Sequence, residues 1–259
     1  PCYTMLSPNG ICEKCLTGKY INCVKQKCVK GSRLKSLLAV LEAYFLKFHH
    51  SYNKIGLYIT PSDFYRRKME EGGFTTSAIV HIKNFLPLRT TFKKSEDNEG
   101  YLLFFGRLSQ EKGVLTLLQA VKNLGAEIPL YIAGDGPQKE DVESFISKNG
   151  LDNQVKILGY QNREKMERIV EKCKCVILPS ECYENGPYSI MEAMAKGKPV
   201  IGSRIGGIPE LIEDGITGYT FEPFNATALA DAIHKMLALP EEEYSAMCDA
   251  ALNKAKQDF

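Results

Sequence analysis

Two cations and two carboxylates carry most of the chemistry this sequence offers. The run Gly106-Arg107-Leu108-Ser109-Gln110-Glu111-Lys112-Gly113 sets Arg107 and Lys112 five residues apart, with a glycine at either end. A planar guanidinium can grip two oxygens while an ammonium adds a point charge, a pairing that suits a diphosphate. Two solvated cations would leave the same letters. Glu184 and Glu192 lie in the stretch Pro179-Ser180-Glu181-Cys182-Tyr183-Glu184-Asn185-Gly186-Pro187-Tyr188-Ser189-Ile190-Met191-Glu192. Gly186-Pro187 marks a helix start, so the first turn at Tyr188 and Ser189 should offer backbone amides and a positive dipole end to an anion. Glu192, followed by Ala193 and Met194, is expensive to bury unless paired. Ribose hydroxyls would satisfy it; a local lysine or amide would serve as well.

Weaker signals accompany these. Gly134-Asp135-Gly136-Pro137 is a glycine-rich loop with a proline suited to a first helical turn, and a plain tight turn reads the same way. Gly159-Tyr160 offers a backbone gap and an aromatic ring, either to border a nucleobase or to pack. Gly206-Gly207-Ile208-Pro209 opens another short helix. Nearer the start, Cys12, Cys15, Cys23 and Cys28 have spacing open to tetrahedral zinc. Reduced thiols in a loop are the alternative.

These residues need a scaffold, and the apolar pattern supplies one. From 101 onward, strand-like runs are expected at 101–105, 130–133, 155–158, 175–178, 200–202 and 218–221. Helical patterns separate them at about 113–124, 137–149, 162–172, 187–196, 207–213 and 225–238. Such alternation predicts an α/β fold, a parallel sheet with helices on both faces. Ligands then gather beyond the carboxyl ends of the strands, where the loops named above fall. Before 101, a helix is expected over 34–48 with Leu34, Leu37, Leu38, Leu41, Phe45 and Phe48 on one stripe. Strands at 55–59 and 79–82 flank a helix over 61–71. The polar, proline-containing stretch 88–100 reads as a linker between a first domain, 1–87, and a second, 101–259.

Of the residues, 44% are hydrophobic and 25% charged, a globular composition, and no apolar run reaches the roughly 18–20 residues of a membrane span. Residues 1–94 hold 16 Lys or Arg against 5 Asp or Glu; residues 95–259 hold 17 against 26. The balances, +11 and −9, suggest phosphates, an anionic lipid face or an acidic acceptor near the first part, or attraction between the two parts. Nine cysteines without an apolar leader favour a reducing cytoplasm over a secreted disulfide framework. Both chain ends read as fragment boundaries.

In order and spacing, Gly106-Arg107-Leu108, Lys112-Gly113, Gly134-Asp135-Gly136-Pro137, Pro179-Ser180 and the Glu184/Glu192 pair resemble the family 4 (group 1) retaining glycosyltransferases. Glu192-Ala193-Met194-Ala195, Gly197-Lys198-Pro199-Val200, Gly206-Gly207-Ile208-Pro209-Glu210 and Asp214-Gly215-Ile216-Thr217-Gly218 complete the set. The resemblance implies the Rossmann-like C-terminal half of a GT-B fold plus a partial N-terminal, acceptor-side domain. It implies a UDP- or GDP-sugar donor, with Arg107 and Lys112 on the diphosphate, Glu184 on the sugar and Glu192 on the ribose. Gly106, Gly134, Gly159, Tyr160, Gly186, Pro187, Tyr188 and Ser189 would line the donor site. The family's Gly-Phe-Gly after the first Glu is here Asn185-Gly186-Pro187, and Pro187 removes one amide. No Asp-x-Asp occurs, in keeping with chemistry that uses no catalytic metal.

Negative charge grows on the leaving nucleoside diphosphate, and losing one group that stabilises it should raise the barrier by roughly 3–4 kcal/mol. The acceptor would be a glycan or lipid-linked molecule, with peripheral contact at an inner membrane face. The family's catalytic histidine would fall before Pro1 and matches none of His49, His50, His81 and His234, so binding without efficient transfer is expected. A catalytically silent nucleotide-sugar-binding module is the rival reading. Sugar-nucleotide epimerases of similar fold lack the Glu184/Glu192 pattern. No nucleic-acid-binding module is recognisable.

Overall fold

The computed structural model describes residues 5–8, 10–74, 79–125 and 128–259. Contacts divide the chain into two compact units, Pro1–Lys83 with Cys182–Asn185, and Asn84–Glu181 with Gly186–Phe259.

The first unit opens with a short antiparallel pair, β1 (Leu6–Ser7) and β2 (Gly10–Ile11). Helix α1 (Ile21–Gln26) follows, then α2 (Arg33–Phe48), which starts where the Ser32 hydroxyl accepts from the Lys35 amide at 3.4 Å. Strand β3 (Tyr58–Thr60) pairs in parallel with β4 (Ile79–His81), and α3 (Asp63–Glu71) lies between them in sequence. Ser62 caps α3 through the Tyr65 amide, and Asp63 supplies a negative charge to the first turn.

Helix α2 begins one residue from its expected start and ends where expected, with the apolar stripe on its exposed side. The stripe Leu34, Leu37, Leu38, Leu41, Phe45 and Phe48 lies at the surface, 39–81% exposed, while Ser36, Val40 and Ala43 are buried. Small residues set the packed side because they admit close approach to α1. The Ser36 hydroxyl donates to the Ser32 carbonyl at 2.8 Å and accepts from the Val29 amide at 3.1 Å. Periodicity finds a helix; it does not say which face the chain covers.

The second unit is a six-stranded, all-parallel sheet in the order β10-β9-β8-β5-β6-β7. Its elements are β5 (Leu102–Phe105), α4 (Val114–Leu124), β6 (Leu130–Ala133), α5 (Lys139–Lys148), β7 (Val155–Gly159), α6 (Arg163–Lys172), β8 (Cys175–Leu178), α7 (Tyr188–Ala195), β9 (Val200–Ser203), α8 (Ile208–Leu211), β10 (Gly218–Phe221), α9 (Ala226–Ala238) and α10 (Glu241–Asp258). Leu102, Leu103 and Phe104 are all fully buried, as a central strand covered on both faces requires. Leu102 and Phe104 join Leu117, Leu118, Leu130, Ile132, Ile177, Leu229 and Ile233 in the main core. Residues 88–100 have little regular structure, yet Lys93, Ser95 and Glu99 donate backbone bonds to Ala195, Lys196 and Lys172 of the second unit.

Candidate functional site

The carboxyl ends of β5, β6 and β7 are laced together by main-chain bonds. The Gly106 amide donates to Ala133 at 3.0 Å, the Gly134 amide to Gly159 at 2.8 Å, and the Leu108 amide to Asp135 at 2.9 Å. The Gln138 amide closes the set on the Leu108 carbonyl. A Cβ on Gly134, whose φ is +147°, would stand 1.8 Å from the Gly106 carbonyl oxygen. The glycine of this loop is therefore required by the neighbouring loop itself, whatever ligand lies above.

The Arg107–Gly113 loop is tied in turn to the loop after β8. Gly113 adopts φ +66°, and a Cβ there would meet the Pro179 carbonyl oxygen at 1.9 Å. The Glu181 amide donates to the Glu111 carbonyl at 2.8 Å, and the Thr116 hydroxyl donates to the Glu181 carboxylate. Burial pushes the Glu181 carboxyl up from its ordinary value, and the Thr116 bond opposes that only in part. Arg107 is exposed and Lys112 half-buried on this braced turn.

Helix α7 begins at Tyr188 after Pro187, with no side chain capping its first turn. The Gly186 carbonyl accepts from the Asn84 side chain at 2.9 Å, which anchors the approach to the helix. Tyr188 is exposed and Ser189 half-buried. One turn in, Glu192 reaches a concavity of about 310 Å³ in the second unit. Thr90, Tyr160, Gln161, Arg163, Met166, Glu167, Val170, Glu192 and Lys196 line it.

The carboxyl of Glu192 stays open to solvent at this concave wall, but the surrounding protein thins its hydration. That desolvation raises its pKa; the Arg163 charge opposes the rise and Glu167 adds to it. Arg163 is held to Glu167 at 2.9 Å, and Lys196 to Glu171 at 2.7 Å. The Thr90 hydroxyl is buried beside the same hollow without a hydrogen-bond partner among the described residues.

Tyr160 and Glu192 thus share one concavity. Arg107, Lys112, Gly106 and Gly134 lie on the laced strand-end loops and are not among its lining residues. Gly159 takes part in the lacing. Gly186 and Pro187 form the approach to α7. Glu184 stands on the stretch Cys182–Asn185, which packs with the first unit. There Tyr65 is pushed up to about 12 by burial, with Cys182 and Glu184 nearby adding to the rise. Sequence reasoning missed Arg163, Gln161, Lys196 and Thr90. The i,i+4 spacing of Arg163 and Glu167, directly after the flagged Gly159-Tyr160, was the available signal.

Among the described residues no group of three or more His, Cys, Asp or Glu is placed to hold a metal ion. Cys15 is buried, with its thiol directed at the Tyr20 carbonyl at 3.8 Å.

A family model described as Glycosyl transferases group 1 matches residues 89–254. The chain is 35% identical over 148 residues to the alpha-D-kanosaminyltransferase of Streptomyces kanamyceticus, covering 56% of this chain and 38% of that protein. It is 32% identical over 201 residues to the lipopolysaccharide 1,2-N-acetylglucosaminetransferase of Salmonella typhimurium, covering 70% and 52%. Among solved structures, Anabaena Alr3699/HepE in complex with UDP superposes with a TM-score of 0.72 at 24% identity, over 79% of this chain and 60% of that one. That likeness concerns the fold. The chain spans between about two fifths and three fifths of the length of these proteins.

Proposed function

The chain belongs to the group 1 glycosyl transferases, and from that premise we propose that residues 101–259 bind the nucleoside diphosphate sugar of a retaining transferase. Arg107 and Lys112 hold the diphosphate, helped by the uncapped amides at the start of α7. Glu192 accepts from the ribose hydroxyls, Tyr160 borders the base, and Glu184 contacts the sugar. The observation that carries this reading is the convergence of Tyr160 and Glu192 on one hollow at the edge of α7. A carboxylate set in a concave wall is suited to a vicinal diol, because two hydroxyls can share its two oxygens.

When the glycosidic bond breaks, negative charge gathers on the departing diphosphate, and the cations and helix start stabilise it. Residues 1–87 supply part of the acceptor side and 88–100 the connection. The UDP complex of HepE supports a nucleotide-sugar donor, and the lipopolysaccharide named in a relative supports a glycan or lipid-linked acceptor. No helix among the described residues is long and apolar enough to cross a membrane. We place the action in the cytoplasm, at the inner membrane face, where the basic first third would meet anionic lipid.

Calorimetry with UDP and with GDP tests the reading. One of them should bind, unaffected by EDTA, and Arg107→Ala should weaken that binding at least about tenfold. No heat from either nucleotide at millimolar concentration, or an Arg107→Ala protein of unchanged affinity, would refute it.

A further inference from the structure

One residue of the cysteine-rich opening segment enters a network that leads straight to Glu184. The Tyr183 hydroxyl donates to Glu13 Oε1 at 2.6 Å. Lys68 Nζ stands 2.9 Å from the same oxygen and 2.8 Å from Glu71, and its side chain is only 16% exposed. From α3, the Tyr65 hydroxyl donates to the Tyr183 carbonyl at 3.1 Å, and the Phe64 ring lies 4.7 Å from the Tyr183 ring. On the other side of Glu184, the Ser62 hydroxyl donates to Asn185 Oδ1 at 3.0 Å. All these residues belong to the first unit.

Both neighbours of Glu184 are therefore tied, one by a charge-assisted bond and one at the cap of a helix. We infer that Glu13 and Tyr183 are positioning residues that fix the Tyr183–Asn185 loop so that Glu184 presents its carboxylate to the donor sugar. This rests on the donor-binding reading above. It also gives the opening segment a mechanical task that its cysteines alone do not explain.

The chemistry of the pair fits a permanent clamp rather than a switch. Burial lifts the Tyr183 phenol to about 12, and its bond to Glu13 adds to the rise. Burial alone would raise the Glu13 carboxyl, but bonds from Tyr183 and Lys68 outweigh it and hold the group below its ordinary value. Donor and acceptor thus keep their charge states across the neutral range.

The experiment compares Tyr183→Phe, Glu13→Gln and the double variant with the unsubstituted chain. Thermal melting first confirms that each folds. Calorimetry then gives the affinities for UDP, GDP, UDP-glucose, UDP-N-acetylglucosamine and GDP-mannose, and hydrogen exchange follows residues 182–187. The unsubstituted chain should prefer one nucleotide sugar over its bare nucleotide. Each single variant should keep its nucleotide affinity within about twofold, lose roughly tenfold of the sugar preference, and exchange faster at 182–187. The double variant should lose no more than either single one, because one bond has been removed.

Sugar preference and loop exchange unchanged in Tyr183→Phe would overturn this inference alone, as would a chain with no preference for any sugar on this panel. Absence of nucleotide binding by the unsubstituted chain would instead overturn the functional reading itself. A loss confined to melting temperature, with the preference intact, would reduce the network to ordinary packing.

Discussion

Under the proposed reading, Glu192 serves a ligand at some cost to the fold. Its carboxyl is partly desolvated, so its pKa stands above the ordinary 4.5. A raised carboxyl pKa means that the folded state binds its proton more tightly than the unfolded chain does. The stability linked to that proton is present below the unfolded value and is lost as pH rises through the folded one. Glu192→Gln should therefore melt no lower than the parent at neutral pH, with any gain vanishing below about pH 4.5. Affinity for the bound nucleotide should meanwhile fall roughly tenfold or more. Melting curves at pH 4 and pH 7 beside calorimetry would show the two effects moving in opposite directions. Gly134 is the contrasting case. Gly134→Ala would place a methyl 1.8 Å from the Gly106 carbonyl oxygen at a positive φ. Backbone strain alone should cost about 1–3 kcal/mol, and the displaced Arg107 loop should weaken nucleotide binding as well. Urea titration with and without nucleotide would separate the two losses.

At the scale of elements, sequence periodicity went far in the second unit and failed where a pattern was faint. All six strands of the sheet stand within a residue of their expected bounds, because fully buried parallel strands are short, apolar and framed by loops. The last helix was overlooked. Its buried residues Tyr244, Met247, Cys248, Ala251, Leu252 and Ala255 follow helical spacing, and Glu241, Glu242 and Glu243 suit its first turn after Pro240. Lysines and alanines among them dilute the stripe, so composition spoke louder than period. The helix packs on α7, the element that carries Glu192. Its Tyr244 hydroxyl donates to the Lys174 carbonyl at 2.7 Å, and Lys94 meets Asp249 at 2.8 Å. Leu252→Ala, at a nearly buried position, should lower unfolding free energy by about 2–3 kcal/mol, read as a shift of the urea midpoint.

The residues of the candidate site were legible to different degrees. The ordered loop motifs pointed to Arg107, Lys112 and Glu192 because glycines and prolines punctuate those loops in the sequence itself. Arg163, Lys196 and Thr90 were not visible, since nothing local distinguishes them from ordinary surface residues until folding sets α6 and the 88–100 stretch beside α7. The Glu13–Tyr183 bond spans 170 positions, and no short-range pattern encodes a contact of that separation.

Taken whole, the molecule carries unequal surfaces. The first unit leaves Leu34, Leu38, Leu41, Phe45 and Phe48 of α2 in contact with water, each more than half exposed. Contiguous apolar area of this kind promotes dye binding and self-association. The chain should therefore enhance anilinonaphthalene sulfonate fluorescence in its native state. The pair of changes Leu38→Glu and Phe45→Glu should abolish most of that signal while leaving the melting temperature within about 2 °C, because both side chains are more than half exposed. Unchanged fluorescence would show that the stripe is covered in solution.

The stitching of the strand ends has a further consequence for how this protein could be changed. Its bonds run from amide to carbonyl and ask nothing of the side chains at 107 or 160, both of which are exposed, whereas Asp135 Oδ1 accepts from the Gly136 amide at 2.7 Å. The side chains at 107 and 160 can thus be changed one at a time on an unaltered frame. A library randomised at those two positions should yield mostly folded proteins of varied nucleotide affinity, whereas randomising Gly134 and Gly136 should yield few that fold at all.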